Sequence, residues 1–421
     1  MATPQSQRSI NKSAAIVIPL FLMGSVGYGT WVIVVKIAVE YLLNPSQDLR
    51  RIGINPRHGA AIAIIVLYFI LLPLMAFPYF RTLQVIWMDP GYVPLGQSSE
   101  KDPNSAWDFY NKDVFVCDHT GKPIWCDKCN NWKPDRTHHS SEVGRCVRRM
   151  DHFCPWAGGI ISENNMKFFL QFCFFGALYT SFVTITVAVL LAERKRKTGG
   201  DVQATWAVAL ALAAMCCLFS VGMSISTFQL SMLNLTTVEN LNKGNAVYRL
   251  AVCVSTSAEP PSAEPSSDRP TSTQGNGALP GQFRQTRQSV THTRQYTVLQ
   301  TEPGENPWDI GKLRNLQSVL GEKWWDWILP IKYSPFTKHD RADSHFEFGP
   351  VVTNLKRKAG LLPPDPKSRR RHSRRHSGQS EHRSHRSHRS HRSHRNHRHR
   401  SSDTGALPTP AWKGGETFQE V

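Results

Sequence analysis

Acidic residues are scarce where the chain is most basic. Residues 367–400 hold thirteen Lys or Arg, a single acid (Glu381) and no apolar side chain. Such a segment has nothing to bury, and the His-Arg-Ser repeats from His382 to Ser393 mark it as low-complexity. It carries about two thirds of the +18 formal charge of the 421-residue chain, so the overall basicity says nothing about a catalytic region. Its charges suit anionic cytoplasmic lipids, at about 1 kcal/mol per basic residue near the surface. Nucleic acid or metal would use the same groups, and a solvated, phosphorylatable tail needs no partner at all. Bulky apolar residues are also few over 254–300, which is rich in Ser, Thr, Pro, Gly and Gln and is expected to be a disordered linker. No convincing cleavage site follows the first apolar run, which is too long for a signal-peptide core, so it is read as a retained span.

Long apolar runs occur four times, at about 14–38, 59–80, 168–192 and 204–230. Each reaches the roughly 20 residues that cross a hydrocarbon core about 30 Å thick. Four buried helices of this kind in a soluble protein would be unusual. With four spans, both termini and the long loop between spans two and three share one side. Lys and Arg in that loop assign it to the cytosol. Glu193-Arg194-Lys195-Arg196-Lys197 argues the other way; the reducing cytosol, which suits free thiols and zinc thiolates, decides the assignment.

Five of the nine cysteines, Cys117, Cys126, Cys129, Cys146 and Cys154, fall in that loop. Cys126-x2-Cys129 with His139 and Cys146 forms a three-thiolate, one-imidazole set of the type zinc holds tetrahedrally. A redox CxxC is the alternative, but no βαβ pattern surrounds this one. A loop this short and polar has little core of its own, so one structural zinc ion would supply much of its folding energy.

Cys154 is left over. It follows Asp151 and His152, and a thiolate is the strongest side-chain nucleophile near neutral pH. His152 can take the thiol proton, and Asp151 can orient and stabilise the imidazole. A spare zinc ligand or an inert buried thiol would have the same spacing.

The loop resembles the cysteine-rich domain of the DHHC palmitoyltransferases. "DHFCPW" (151–156) stands where that family has Asp-His-His-Cys-Pro-Trp, and the likeness covers 126–156 and extends to Asn165 and Phe169. Asp89-Pro90-Gly91 resembles the family's DPG motif, Thr236-Thr237-Val238-Glu239 its TTxE motif, and Asn306-Pro307-Trp308-Asp309 with Asn315 its C-terminal packing element. The departures are specific. Family members usually bind two zinc ions, and the second set falls on Ser140, Val143, Phe153 and Ile160, none a good ligand. Val143, Phe153 and Ile160 are expected to form a small apolar cluster instead. The thinned cysteine set is similar to that of fungal members.

The resemblance implies an α-helical membrane protein: four transmembrane helices, a small zinc-stabilised cysteine-rich cytosolic domain between spans two and three, and a disordered basic C-terminal tail. The expected segments are a cytosolic N-terminus (1–13), helices 1 and 2 (14–80), the catalytic domain (81–167), helices 3 and 4 (168–230), a juxtamembrane TTxE segment (231–253), the linker (254–300), the packing element (301–340) and the tail (341–421). It implies a protein S-palmitoyltransferase, with Cys154 as nucleophile, His152 as base and Asp151 behind it. Palmitoyl-CoA would be the donor and membrane-proximal cysteines of other proteins the acceptors; no specific nucleic acid is expected. Arg148 and Arg149 could meet the CoA phosphates or be generic surface charge. Trp-Lys-Pro-Asp-Arg (132–136) reads as scaffold. Gly24, Gly27, Gly29 and the small residues of 207–214 would permit close helix approach. Two other classes stay open: a catalytically silent zinc-binding membrane adaptor, and a lipid-surface or nucleic-acid binder working through the tail.

Overall fold

The computed structural model describes residues 4–96, 106–258, 282–285 and 292–364. Its frame is four long helices. The first runs over Pro4–Trp31 and continues in wider π-helical turns over Val32–Leu43; the others are His58–Met88, Met166–Lys197 and Ala204–Met232. All four are long and apolar enough to cross a membrane. No more than 33% of any of their apolar windows is buried inside the protein. Side chains such as Ile62, Phe77, Leu218 and Ile225 face outward, an arrangement that hydrocarbon surroundings satisfy. The helices outrun the apolar windows because backbone hydrogen bonding continues past the polar ends of each run. The third helix packs along both the second and the fourth. Tyr41, Tyr68, Tyr179 and Trp206 belong to the core shared by these helices.

The loop between the second and third helices is built from short strands. After β1 (Val114–Val116) come three antiparallel hairpins: β2 (Ile124–Cys126) with β3 (Asn131–Lys133), β4 (His138–Ser140) with β5 (Arg145–Val147), and β6 (His152–Cys154) with β7 (Gly159–Ile161). The last hairpin lies close against the membrane helices. A Cβ on Gly158 (φ +78°) would stand 3.0 Å from Leu83 Cδ2 and 3.3 Å from the Ala15 carbonyl oxygen. One on Gly159 would stand 2.6 Å from Ile86 Cγ2. Only residues without a side chain let the turn approach the first two helices this closely.

Two expectations need correction. The 254–300 stretch is not wholly a linker: β8 (Arg249–Ala258) enters it, β9 (Gln282–Gln285) lies within it and β10 (His292–Gln300) closes it. These strands form an antiparallel sheet in the order β1-β8-β10-β9. Leu250, Ala251, Val252, Tyr296 and Thr297 are buried there. The Tyr-Thr-Val run at 296–298 has the aromatic and β-branched character strands favour, which average composition conceals. The rest of 254–300 lies outside the described residues.

Likewise, residues 341–359, expected in the disordered tail, are packed: Ser344 and Phe346 are buried, and the helix Pro350–Lys358 buries Val352 and Leu355. The basic repeats themselves lie outside the described residues. Between these segments, the helix Lys312–Leu320 buries Leu316, Val319 and Leu320 and ends at Gly321 (φ +108°). Leu313, on the outer side of this helix, is exposed, and so is Trp324, which lies beyond the helix end.

Candidate active site

Asp151 leads directly into β6, and His152 and Cys154 sit two residues apart on that strand. Strand alternation directs both side chains to one face and Phe153 to the other. The imidazole Nδ1 lies 2.6 Å from Asp151 Oδ2. The Cys154 thiol, on the same face of the strand, is the imidazole's second electrostatic neighbour. Cys154 is buried, in an apolar cluster with Ile86, Ala157, Phe169 and Cys173. The Phe169 ring stands edge-on to His152, with centroids 5.6 Å apart. Burial works against a charged imidazole, but the interactions with Asp151 and Cys154 outweigh it and push the His152 pKa up to about 10. Burial would raise the Asp151 carboxyl, yet hydrogen bonds from His152 and Thr237 hold it below the ordinary carboxylate range. The site therefore favours the imidazolium form of His152 beside the Asp151 carboxylate.

Asp151 is fixed from the far side by the segment after the fourth helix. Thr237 donates its N–H to Oδ1 (3.0 Å) and its hydroxyl to Oδ2 (2.8 Å). Thr236 and Glu239 form a reciprocal capping box on the short helix Thr237–Leu241. That is the Thr-x-x-Glu signature of a helix N-terminus, a local signal that could have marked this turn from sequence. Glu239 pairs with Arg136 (2.6 Å), both side chains almost fully buried. Arg136 also donates to Asn234, and its guanidinium lies 4.8 Å from the Trp308 ring. Asn234 donates to the Trp308 carbonyl, and Asn315 to the Met232 carbonyl and Asp309. The TTxE-like and Asn-Pro-Trp-Asp segments thus brace one carboxylate. On the opposite side Asp89 Oδ1 accepts from the N–H groups of Gly91 and Tyr92, closing the Asp-Pro-Gly turn. Asn165 links the Ile160 carbonyl and the Ser162 N–H. Residues that sequence reasoning did not single out are Asn234 and Thr237's role toward Asp151. Arg149, a candidate for phosphate contact, is instead 1% exposed, bonded to Asn234 and stacked 4.2 Å from the Phe336 ring.

Cys126, Cys129, His139 and Cys146 converge. Their ligand atoms all lie within 4.8 Å of one another, and the three cysteines are buried. His139 Nδ1 is 3.2 Å from Cys129 Sγ and 3.7 Å from Cys126 Sγ. His139 and Cys146 are cross-strand partners in β4–β5. Three thiols and one imidazole clustered this tightly fit the tetrahedral preference of zinc. Val143, Phe153 and Ile160 share an apolar cluster with Val147 and Met150, and Phe153 and Ile160 face each other across β6–β7. Cys117 is separate from both; burial pushes its pKa up to about 12.

An apolar cavity of about 520 Å³ opens among all four membrane helices, with Cys154 and Trp156 in its wall at one end. Phe169, Cys173 and Tyr179 of the third helix continue the wall. Gly27 and Gly29 line it, and a Cβ on Gly24, Gly27 or Gly29 would meet nothing within 4 Å. These glycines leave room; they do not bring helices into contact.

The DHHC palmitoyltransferase family model matches residues 119–244. Over 417 residues the chain is 35% identical to palmitoyltransferase pfa5 of Aspergillus fumigatus, covering 86% of this chain and 93% of that protein. The chain belongs to the DHHC palmitoyltransferase family. Palmitoyltransferase pfa5 of Emericella nidulans is 36% identical over 437 residues (86% and 89% covered), and palmitoyltransferase PFA3 of Yarrowia lipolytica 31% over 224 residues (50% and 46%). The match to this family contains the Cys/His cluster, the β6–β7 hairpin and the Thr236–Glu239 turn. Family and cluster together point to zinc binding.

Proposed function

We infer that this protein is a protein S-palmitoyltransferase that carries the acyl group on Cys154. One observation supports the reading most: the thiol two residues along the strand from the Asp151-paired His152 also lines the apolar cavity between the membrane helices. At about 520 Å³ the cavity falls within the roughly 300–1,000 Å³ of small-molecule sites. A fatty chain gains about 0.8 kcal/mol per buried CH2. In the first step His152 holds the thiol proton, and the Cys154 sulfur forms a bond to the thioester carbonyl carbon of palmitoyl-CoA. The carbon–sulfur bond to CoA then breaks, and the departing thiolate takes the proton from His152. In the second step the thiol of a membrane-proximal cysteine on another protein gives its proton to His152 and attacks the acyl-Cys154 carbonyl. Cys154 leaves as thiolate and the acceptor is S-palmitoylated. Asp151 orients the imidazole and stabilises its charged form.

The hairpin end of the bundle belongs in the cytosol on this reading, with both termini, because it needs CoA and free thiols. One zinc ion held by Cys126, Cys129, His139 and Cys146 would fix the first two hairpins and take no part in the transfer. Steady-state kinetics with palmitoyl-CoA and a lipid-anchored cysteine peptide test the scheme: a covalent intermediate gives parallel double-reciprocal lines. Intersecting lines would mean direct transfer from CoA to the acceptor.

A further inference from the structure

A second cavity, polar and about 330 Å³, lies on the hairpin side of the molecule, outside the acyl site. Three carboxylates line it: Asp108, which is exposed, and two that are 2% exposed, Asp135 from the turn after β3 and Glu163 from the turn after β7. Each of the buried pair uses one oxygen structurally. Asp135 Oδ1 accepts from the Val116 N–H at 2.8 Å, and Glu163 Oε1 accepts from His339 at 2.5 Å. The other oxygens, Asp135 Oδ2 and Glu163 Oε2, are buried and have no hydrogen-bond partner. His345 Nδ1, at 3.6 Å from Asp135 Oδ2, is within ion-pair distance when protonated but beyond a hydrogen bond, which leaves that oxygen open to a closer donor.

The cations in the wall do not fill this gap. The Lys112 ammonium donates to the carbonyls of His339 and Arg341. Arg148 makes no hydrogen bond to either carboxylate among the described residues, and its own Nε is unpartnered. Buried carboxylate oxygens without donors are costly and are normally matched by a cation or a hydrogen-bond donor. A bare metal ion held by three or more side chains is not formed here: among the described residues only the Cys126–Cys146 cluster brings that many ligand atoms together.

We propose that this cavity binds an organic cation, a guanidinium or primary ammonium group, through the free oxygens of Asp135 and Glu163. Its several N–H donors can serve more than one carboxylate acceptor at once. The cation comes either from an Arg or Lys side chain of the acceptor protein or from a free polyamine. The side-chain source rests on the acyl-transfer reading; the binding itself does not.

Agmatine and a neutral analogue lacking the charge are titrated against the full chain in lipid nanodiscs, with thermal unfolding as the readout. Agmatine should raise the unfolding temperature saturably and the analogue should not. D135N and E163Q keep the oxygens that serve Val116 and His339 but lose the charge, and each should weaken agmatine binding at least about tenfold. In a second arm, lipid-anchored cysteine peptides carrying Arg or citrulline beside the cysteine are compared as acceptors. A lower KM for the Arg peptide, competitively raised by agmatine, identifies a protein side chain; equal KM values with intact agmatine binding identify a free polyamine. Equal effects of agmatine and the neutral analogue on the wild-type protein would overturn the site, and this comparison needs no variant to fold. Undiminished agmatine binding in both D135N and E163Q would overturn it as well.

Discussion

Two parts of one loop are held together by different physics. The β2–β5 hairpins converge on Cys126, Cys129, His139 and Cys146, a cluster of metal-type ligands. The β6–β7 hairpin, which carries His152 and Cys154, has Phe153 opposite Ile160 and rests with Val143 on Val147 and Met150. Where the family resemblance implies a second metal, this chain has Ser140 and three apolar side chains, Val143, Phe153 and Ile160. The difference teaches that a hairpin a few residues long can be fixed by a metal or by dispersion and hydrophobic contact, and that the reactive strand here relies on the latter. Strand alternation makes this compatible with chemistry, because the apolar face (Phe153) and the reacting face (His152, Cys154) are opposite sides of three residues.

The largest effect should come from the ligand cluster. Cys129→Ser should abolish zinc retention, measured by elemental analysis, and unfold the β2–β5 region. Structural zinc sites supply on the order of 10 kcal/mol of binding energy that doubles as folding energy. Retention of full zinc content in that variant would remove the distinction between the two parts.

Next in size is the brace that joins them to the helices. Glu239→Gln leaves Arg136 buried without its counter-charge and should cost about 3–5 kcal/mol by denaturant unfolding. A cost under about 1 kcal/mol would mean that the pair is hydrated. Ile160→Ala should cost about 2–4 kcal/mol through lost transfer energy and a residual cavity, while zinc content stays at the wild-type level. A parallel loss of zinc would show that the apolar part and the metal part fold as one.

The smallest effect is pH-dependent. The raised His152 pKa contributes stability that is complete below about 6.5 and lost as pH rises through about 10. The depressed Asp151 pKa contributes stability present above the ordinary carboxylate range and lost as pH falls through the folded value. The stability difference between wild type and Asp151→Asn should thus be greatest near pH 5–6 and shrink toward pH 10. A difference that grows with pH would reverse the assignment of the proton to His152.

Much of this was legible in sequence, unevenly. The four spans and the Cys126-Cys129-His139-Cys146 set carry strong local signals, a run length and a ligand spacing. The apolar replacement at Val143, Phe153 and Ile160 was readable from residue type once the family pattern was laid on the chain. Thr237's grip on Asp151 was not, because it joins residues 86 positions apart, and no local pattern reports such a contact. Arg149 reads as a surface charge by type, yet cation–π stacking on Phe336 and the Asn234 bond hold it in the interior. The strands β8 and β10 and the packed residues 341–359 were hidden for the opposite reason: short apolar runs were averaged into polar, repetitive surroundings.

The central claim is that Cys154 is free of metal and carries the acyl group. Purified wild-type protein and Cys154→Ser, each incubated with radiolabelled palmitoyl-CoA and treated with hydroxylamine, test it directly. The account predicts a hydroxylamine-labile label on the wild type, none on Cys154→Ser, and the same zinc content in both. An undiminished label on Cys154→Ser, or a loss of zinc with that one sulfur, would contradict it.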